Sequence, residues 1–230
     1  MYRLIAAFAA LCLLAPGSAQ AADIDTTTGG RTGAIALFGA GRLPTFGQIF
    51  APDPARPILT SFSLFLDYRA DTNVGIPNVG PLDLRGYVAT WVGNGAGTIL
   101  YTSETRTKPD TDDLTEFAFT PNLILSPAEL YVAFLSITEL PQTALRAFEI
   151  PYGPSDIYTF ERYVFSQVGT FEALTTTDWQ SLAFPNTDRD TFFKASFDVP
   201  ATVPEPAALA LFGAGLFGLL AGRRRRSTRA

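Results

Sequence analysis

Between Phe46 and Val199 the chain never sustains a 3.6-residue hydrophobic period over the length of an ordinary helix, and this property narrows the fold more than any other. A period of two recurs instead. In LTSFSLFLD (Leu59 to Asp67), Phe62, Leu64 and Leu66 fall on one face and Ser61 and Ser63 on the other, the pattern of a strand with one buried side. Leu84 to Val92 (LRGYVATWV) sets Tyr87, Ala89 and Trp91 on one side; Gly93 to Gly97 (GNGAG) predicts a turn, and Ile99 to Thr102 the returning arm of a hairpin. Leu130 to Ile137 (LYVAFLSI) is apolar on both faces, as a central strand is. Shorter runs at Gln48–Phe50, Glu116–Phe119, Leu123–Leu125, Tyr158–Val168, Phe171–Leu174, Gln180–Phe184 and Phe192–Val199 are separated by Pro, Gly, Asp and Asn. The pattern predicts about eight or nine strands and an all-β fold, a single jelly-roll-like β-sandwich over residues 46–199. Residues 22–45 read as a loose lead-in with one strand, Glu104 to Thr115 as a polar, acidic loop, and Thr143 to Ile150 as a short helix between Pro141 and Pro151.

Two apolar ends flank this body. Residues 1–21 have the layout of a secretory signal peptide: Arg3 in the n-region, Leu4 to Ala15 as the apolar stretch, and Ala19-Gln20-Ala21 as the cleavage site, with Ala19 and Ala21 as its small residues. At the other end, Ala207 to Ala221 is 15 residues without a charge. As a helix it would span about 22 Å, short against a hydrocarbon core of about 30 Å. Its five leucines and two phenylalanines favour insertion by about 2–4 kcal/mol. Arg223, Arg224, Arg225 and Arg226 follow at once and stay cytoplasmic as a stop-transfer block, since each would cost about 2.5–3.5 kcal/mol at the bilayer centre. Pro204 and Pro206 keep the preceding segment non-helical on the far side, with Glu205 exposed between them. Residues 200–230 thus read as a sorting and anchor segment ending in a transmembrane helix.

The order Pro204-Glu205-Pro206, apolar span, arginine cluster resembles the PEP-CTERM sorting signal of Gram-negative bacteria. That resemblance implies recognition by exosortase, a membrane enzyme that cleaves near the triplet in species exporting extracellular polysaccharide. It also implies an inner-membrane precursor and a mature form in the cell envelope or outside the cell. The body resembles secreted bacterial β-sandwich proteins that carry this tail, through GQIF at 47–50, SFSLFLD at 61–67, YVAFLS at 131–136, LTTTDW at 174–179 and FFKASF at 192–197. These are fold-setting motifs and mark no active site.

Composition removes several chemistries. There is no histidine, so histidine triads, imidazole bases and the usual zinc and copper sites are excluded. The one cysteine, Cys12, lies in the signal peptide, and the body has neither disulfides nor thiol chemistry. With Arg3, Glu205 and the five tail arginines set aside, residues 22–203 hold 11 basic and 21 acidic side chains, a net of −10. An acidic body argues against nucleic acid and against anionic lipid as partners.

The remaining candidates are few. Asp110, Asp112, Asp113 and Glu116 in KPDTDDLTE place four carboxylates within seven residues, either calcium ligands or a solvated acidic loop. The mid-loop glycine and the spacing of an EF-hand are missing. Asp188 and Asp190 form a second acidic candidate with the same two readings. GNGAG lacks the lysine and following helix of a phosphate loop. Of the two tryptophans, Trp91 sits in an alternating strand and reads as core, whereas Trp179, after three threonines and Asp178, is the candidate aromatic platform for a sugar. No cofactor and no catalytic residue is marked. Three readings of the body stay open: a structural or adhesive envelope or matrix protein, a carbohydrate-binding module acting on extracellular polysaccharide, and a hydrolase built on a carboxylate pair.

The tail analysis makes a direct prediction. Glu205→Ala is expected to leave the precursor inserted but uncut, whereas deletion of residues 223–226 loses membrane retention before processing. Carbonate extraction and precursor size on immunoblots distinguish the two phenotypes.

Overall fold

The computed structural model describes residues 24–68, 80–142, 146–153, 162–181 and 190–200. The signal peptide with Ala19 and Ala21, the tail with its Pro-Glu-Pro triplet and Arg223 to Arg226, and Asp188 lie outside them. The chain divides after Val199 into two units, and the strands described belong to the first. Among the described residues no helix is long and apolar enough to cross a membrane.

Period-two sequence becomes two antiparallel sheets and a small third one. In the first, β1 (Ile24–Asp25), β13 (Phe193–Asp198), β4 (Ile58–Leu66) and β8 (Thr115–Phe119) lie side by side in that order, with β9 (Leu123–Ile124) also on β4. The second has the order β12 (Tyr163–Ser166), β3 (Thr45–Phe50), β10 (Leu130–Ser136), β5 (Leu82–Val92), β6 (Gly95–Thr102), with β7 (Arg106–Lys108) on β5. β2 (Gly33–Phe38) and β11 (Phe148–Tyr152) form the two-stranded sheet. Successive long strands change sheets, β3 to β4 to β5 and β8 to β10, the jelly-roll-like habit that lets each sheet bury its inner face on the other.

Alternation decides which side chains meet. Phe46 and Phe50 of β3, Tyr131, Ala133 and Leu135 of β10, and Val88 of β5 face inward against Phe62, Leu64 and Leu66 of β4, Phe117 and Phe119 of β8, and Phe193 and Phe197 of β13. Phe50 reaches across the sandwich, its ring 5.8 Å from that of Phe193 and 6.1 Å from that of Phe197. Phe62 stacks on Phe119 at 4.9 Å and meets Tyr101 of β6 edge-on at 6.1 Å. The close approach of the sheets requires Gly86 on β5: a Cβ there would stand 2.5 Å from the Phe119 ring.

Several elements differ from the sequence reading. The lead-in supplies two strands, and Ile35 and Phe38 of β2 enter the main core. Phe148 to Ile150, expected to complete a helix from Thr143, open a strand instead, because they pair with Phe38 to Ala36 while Ala147, Phe148 and Ile150 are buried; residues 143–145 lie outside the described residues. Phe171–Leu174, expected as a strand, is the helix α1: it closes a tight strap in which Thr177 Oγ1 donates to the Ala173 carbonyl at 2.7 Å. The acidic loop begins with β7, which pairs with Leu82 to Leu84. Each of these segments is short, and tertiary pairing overrides so weak a local preference.

Phe50→Ala should cost about 3–5 kcal/mol, the loss of a ring that bridges both sheets. Gly86→Ala should cost about 1–3 kcal/mol by forcing the Phe119 ring aside. Ile124→Ala, at a side chain 78% exposed, should stay within about 0.5 kcal/mol of wild type. Urea unfolding of the three variants checks this ordering.

Candidate functional site

The outer face of the six-stranded sheet carries a second apolar cluster. Ile49 of β3, Val132 and Phe134 of β10, Tyr87 and Ala89 of β5, Ala96 of β6 and Val164 of β12 share this face. A strap from Val168 to Trp179, containing α1, covers it with Phe171, Leu174 and Trp179. Tyr87 stacks on Phe134 at 4.9 Å, Phe134 meets Trp179 edge-on at 5.2 Å, and Trp91 meets Trp179 edge-on at 6.0 Å.

Trp179 is therefore not an exposed platform. It is 6% exposed, its indole N–H donates to the Leu174 carbonyl at 2.8 Å, and its backbone N–H donates to Asn94 in the β5–β6 turn at 2.7 Å. The threonine-rich loop before it, 175–178, is exposed, and the tryptophan is the rivet that fastens that loop to the sheet. Of the two tryptophans, Trp91 is the less covered, though it packs against the same cluster. Trp91 is half-buried at the end of β5, opposite Leu130, which is 40% exposed. Sequence alternation placed Trp91 on a face; it could not tell that the strap stops short of the strand's end.

At the other end of the same face the cover is polar. The Tyr87 hydroxyl donates to Glu139 at 2.7 Å and Arg85 pairs with the same carboxylate at 3.1 Å. Burial pushes the Tyr87 hydroxyl well above the usual phenol range, and the hydrogen bond to Glu139 adds to it. The Thr45 and Ser136 hydroxyls bond at 2.7 Å, and Ser136 bonds Thr138 at 2.9 Å. Elsewhere, Arg31 ion-pairs with both Asp67 (3.0 Å) and Glu149. These carboxylates are held by donors within the fold.

The acidic candidates also resolve. Asp110, Asp112, Asp113 and Glu116 do not gather on a common point: Asp110 accepts from the Gly80 backbone N–H at 2.5 Å, and Glu116 faces Lys194 at 3.7 Å. The carbonyl oxygens of this loop turn instead on Lys108, a residue the sequence reading passed over, whose side chain is fully buried. Among the described residues no group of three carboxylates could hold a metal ion. A lysine ammonium occupies the centre of this loop. The signal was a single base at the head of the acidic run, in KPDTDD. Asp190 is buried as well and accepts from the Gln48 amide at 2.6 Å, while Gln48 Oε1 accepts from the Thr191 N–H, so this pair secures β13 to β3 rather than forming a surface site.

Open clefts lie away from this outer cluster among the described residues. One, of about 560 Å³, is lined by Leu37, Arg42, Leu43, Phe165 and Gln167; another, of about 540 Å³, lies between β7 and β8, with Thr105, Arg106, Thr107, Thr115 and Glu116 on its walls.

A family profile described as the PEP-CTERM protein-sorting motif matches residues 202–226. The tail is that motif, and it implies an exported protein with a membrane-anchored precursor that exosortase processes to a cell-surface form. No curated protein matches the chain. Two solved structures are similar in shape. One is the clostridial cysteine protease Cwp84 after propeptide cleavage, with TM-score 0.42 and 11% identity over 73% of this chain and 38% of that one. The other comprises the cysteine protease and lectin-like domains of Cwp84, a surface layer associated protein of Clostridium difficile, with TM-score 0.41 and 13% identity over 71% and 34%. The chain spans little more than a third of those structures, and likeness at this level bears on neither chemistry nor ligands.

Trp179→Phe, which keeps a ring but loses the bond to Leu174, should lower stability by about 1–2 kcal/mol. Trp179→Ala should cost about 3–5 kcal/mol and raise proteolysis within 168–181. Both effects are read by denaturant unfolding and limited digestion.

Proposed function

We propose that the chain is the precursor of an exported cell-envelope or extracellular-matrix protein whose β-sandwich has a structural or adhesive role without catalysis. The sorting motif at 202–226 carries this reading. The body adds support, because the carboxylates it brings together are held by Arg31, by Tyr87 with Arg85, and by Gln48. The anchor is temporary in this reading. A short, modestly apolar span with arginines on one side and an extended Pro-Glu-Pro on the other makes a good processing handle and a poor permanent anchor.

The half-buried Trp91 beside Leu130 favours a second reading, a carbohydrate-binding module. An indole held edge-on by Trp179 at the end of a rigid sheet offers apolar surface to the apolar face of a sugar ring, and the exposed Thr175 to Asp178 loop supplies polar groups on the same side of the body. With a net charge of −10 in residues 22–203, a neutral polysaccharide suits it better than a polyanionic one.

Mass spectrometry of the cell-surface and secreted fractions tests the first reading. A mature C-terminus between about Val199 and Ala207 is expected, and a mature protein still carrying Leu216 to Arg226 would overturn it. A glycan array with the processed protein tests the second. Binding that disappears in Trp91→Ala at an unchanged melting temperature supports a sugar site, and equal binding by the variant removes Trp91 from the argument.

A further inference from the structure

Lys108 closes β7, where it pairs with Leu82 of β5, and its side chain is fully buried. Its ammonium donates to the carbonyl oxygens of Pro109 at 3.2 Å, Thr111 at 3.1 Å and Asp113 at 3.1 Å. It also stands 4.9 Å from the centre of the Phe148 ring on β11. An ammonium has three N–H donors and no acceptor, so three carbonyls satisfy it fully, and the aromatic face adds attraction on another side. All three acceptors come from the five residues that follow the lysine. The loop is wound around the cation rather than laid over it.

The position gives this winding a consequence. The loop leads from β7, on the six-stranded sheet, to β8, on the five-stranded one, while Phe148 belongs to the two-stranded sheet. The ammonium thus sits between the loop that joins the two large sheets and a ring of the third. The same loop is fastened a second time where the Gly80 N–H donates to Asp110. Burial pushes the lysine below its ordinary range, and the nearby charges of Asp67, Asp113, Asp110 and Asp112 oppose that push.

We propose that Lys108 is the built-in cation of a clasp that closes the β7–β8 connection, doing for loop 109–113 what a calcium ion does for other acidic loops. Cutting the side chain back opens the same carbonyl cradle to a free alkylammonium ion. The distances select the class of ion. Oxygens at 3.1–3.2 Å are spaced for N–H donors, and they would have to close by about half an ångström or more to reach the 2.3–2.6 Å of calcium coordination. Calcium is therefore a poor substitute, and a primary ammonium is the matching one.

Thermal unfolding of the full-length chain in detergent tests this, for wild type and Lys108→Ala, with calcium, propylammonium or tetramethylammonium added at matched ionic strength. Alanine removes the atoms from Cγ to Nζ, which is the outline of propylammonium. The wild-type midpoint should not respond to any of the three. The Lys108→Ala midpoint should fall, and propylammonium should restore at least half of the loss, while tetramethylammonium, which has no N–H, restores none. A calcium-induced rise in the wild type, or the same response of both proteins to propylammonium, overturns the proposal. Should Lys108→Ala fail to fold, Lys108→Met keeps the apolar stem without the charge. Its backbone amides in 110–114 should then exchange with deuterium at least tenfold faster than in wild type, with the β3–β10 amides unchanged. Wild-type exchange in 110–114 of that variant would equally overturn the clasp.

Discussion

The body stands on the contact of aromatic rings between two sheets. With no cysteine in the body, no cross-link limits the unfolded chain, and stability has to come from apolar area removed from water at about 25 cal/mol per Å². Phe50 against Phe193 and Phe197, and Phe62 between Phe119 and Tyr101, tie the sheets at two places along their length. Gly86 lets the second of these close. The outer cluster under the 168–179 strap repeats the device on a smaller scale, with Trp179 filling the place that a covalent staple takes in other small exported domains.

A core that presses strands together also traps polar groups, and here three of the trapped groups tie one segment to another. Thr26 accepts from the Phe193 N–H at 2.8 Å and donates to the Thr191 carbonyl at 2.6 Å, carrying β1 onto β13. Gln48 and Asp190 join β3 to the start of β13. Lys108 joins β7 to the loop before β8. An unpaired buried donor forfeits its hydration without return, so these bonds specify which strand lies beside which, where apolar contacts alone would tolerate several registers. Two buried atoms among the described residues, Arg146 Nη1 and the Tyr163 hydroxyl, have no partner, and nothing in the structure explains them.

Function divides along the chain in the same way. The tail states its own purpose because a membrane-inserted segment is read as a linear order of proline, carboxylate, apolar span and guanidinium. The body has no such linear code. Any chemistry on a sandwich is assembled from residues far apart in sequence, as Arg31, Asp67 and Glu149 are, and a run of neighbouring acids such as 110–113 is a poor guide to what converges in space.

By itself, the sequence determined the class of the fold, the long strands β3, β4, β5, β10 and β13, the β5–β6 hairpin and the sorting tail. The reason is that period-two patterning, turn residues and hydropathy are local properties written in consecutive residues. Only the tertiary structure decided that Phe148–Tyr152 is a strand and Phe171–Leu174 a helix, because runs of four or five residues take the conformation their neighbours allow. It alone decided that Trp179 is covered while Trp91 meets solvent, since exposure depends on where the strap ends and not on either tryptophan's own neighbours. It also decided that the acidic loop closes on Lys108. Carbonyl direction is set by the backbone path between two sheets, and nothing in the order of side chains records it.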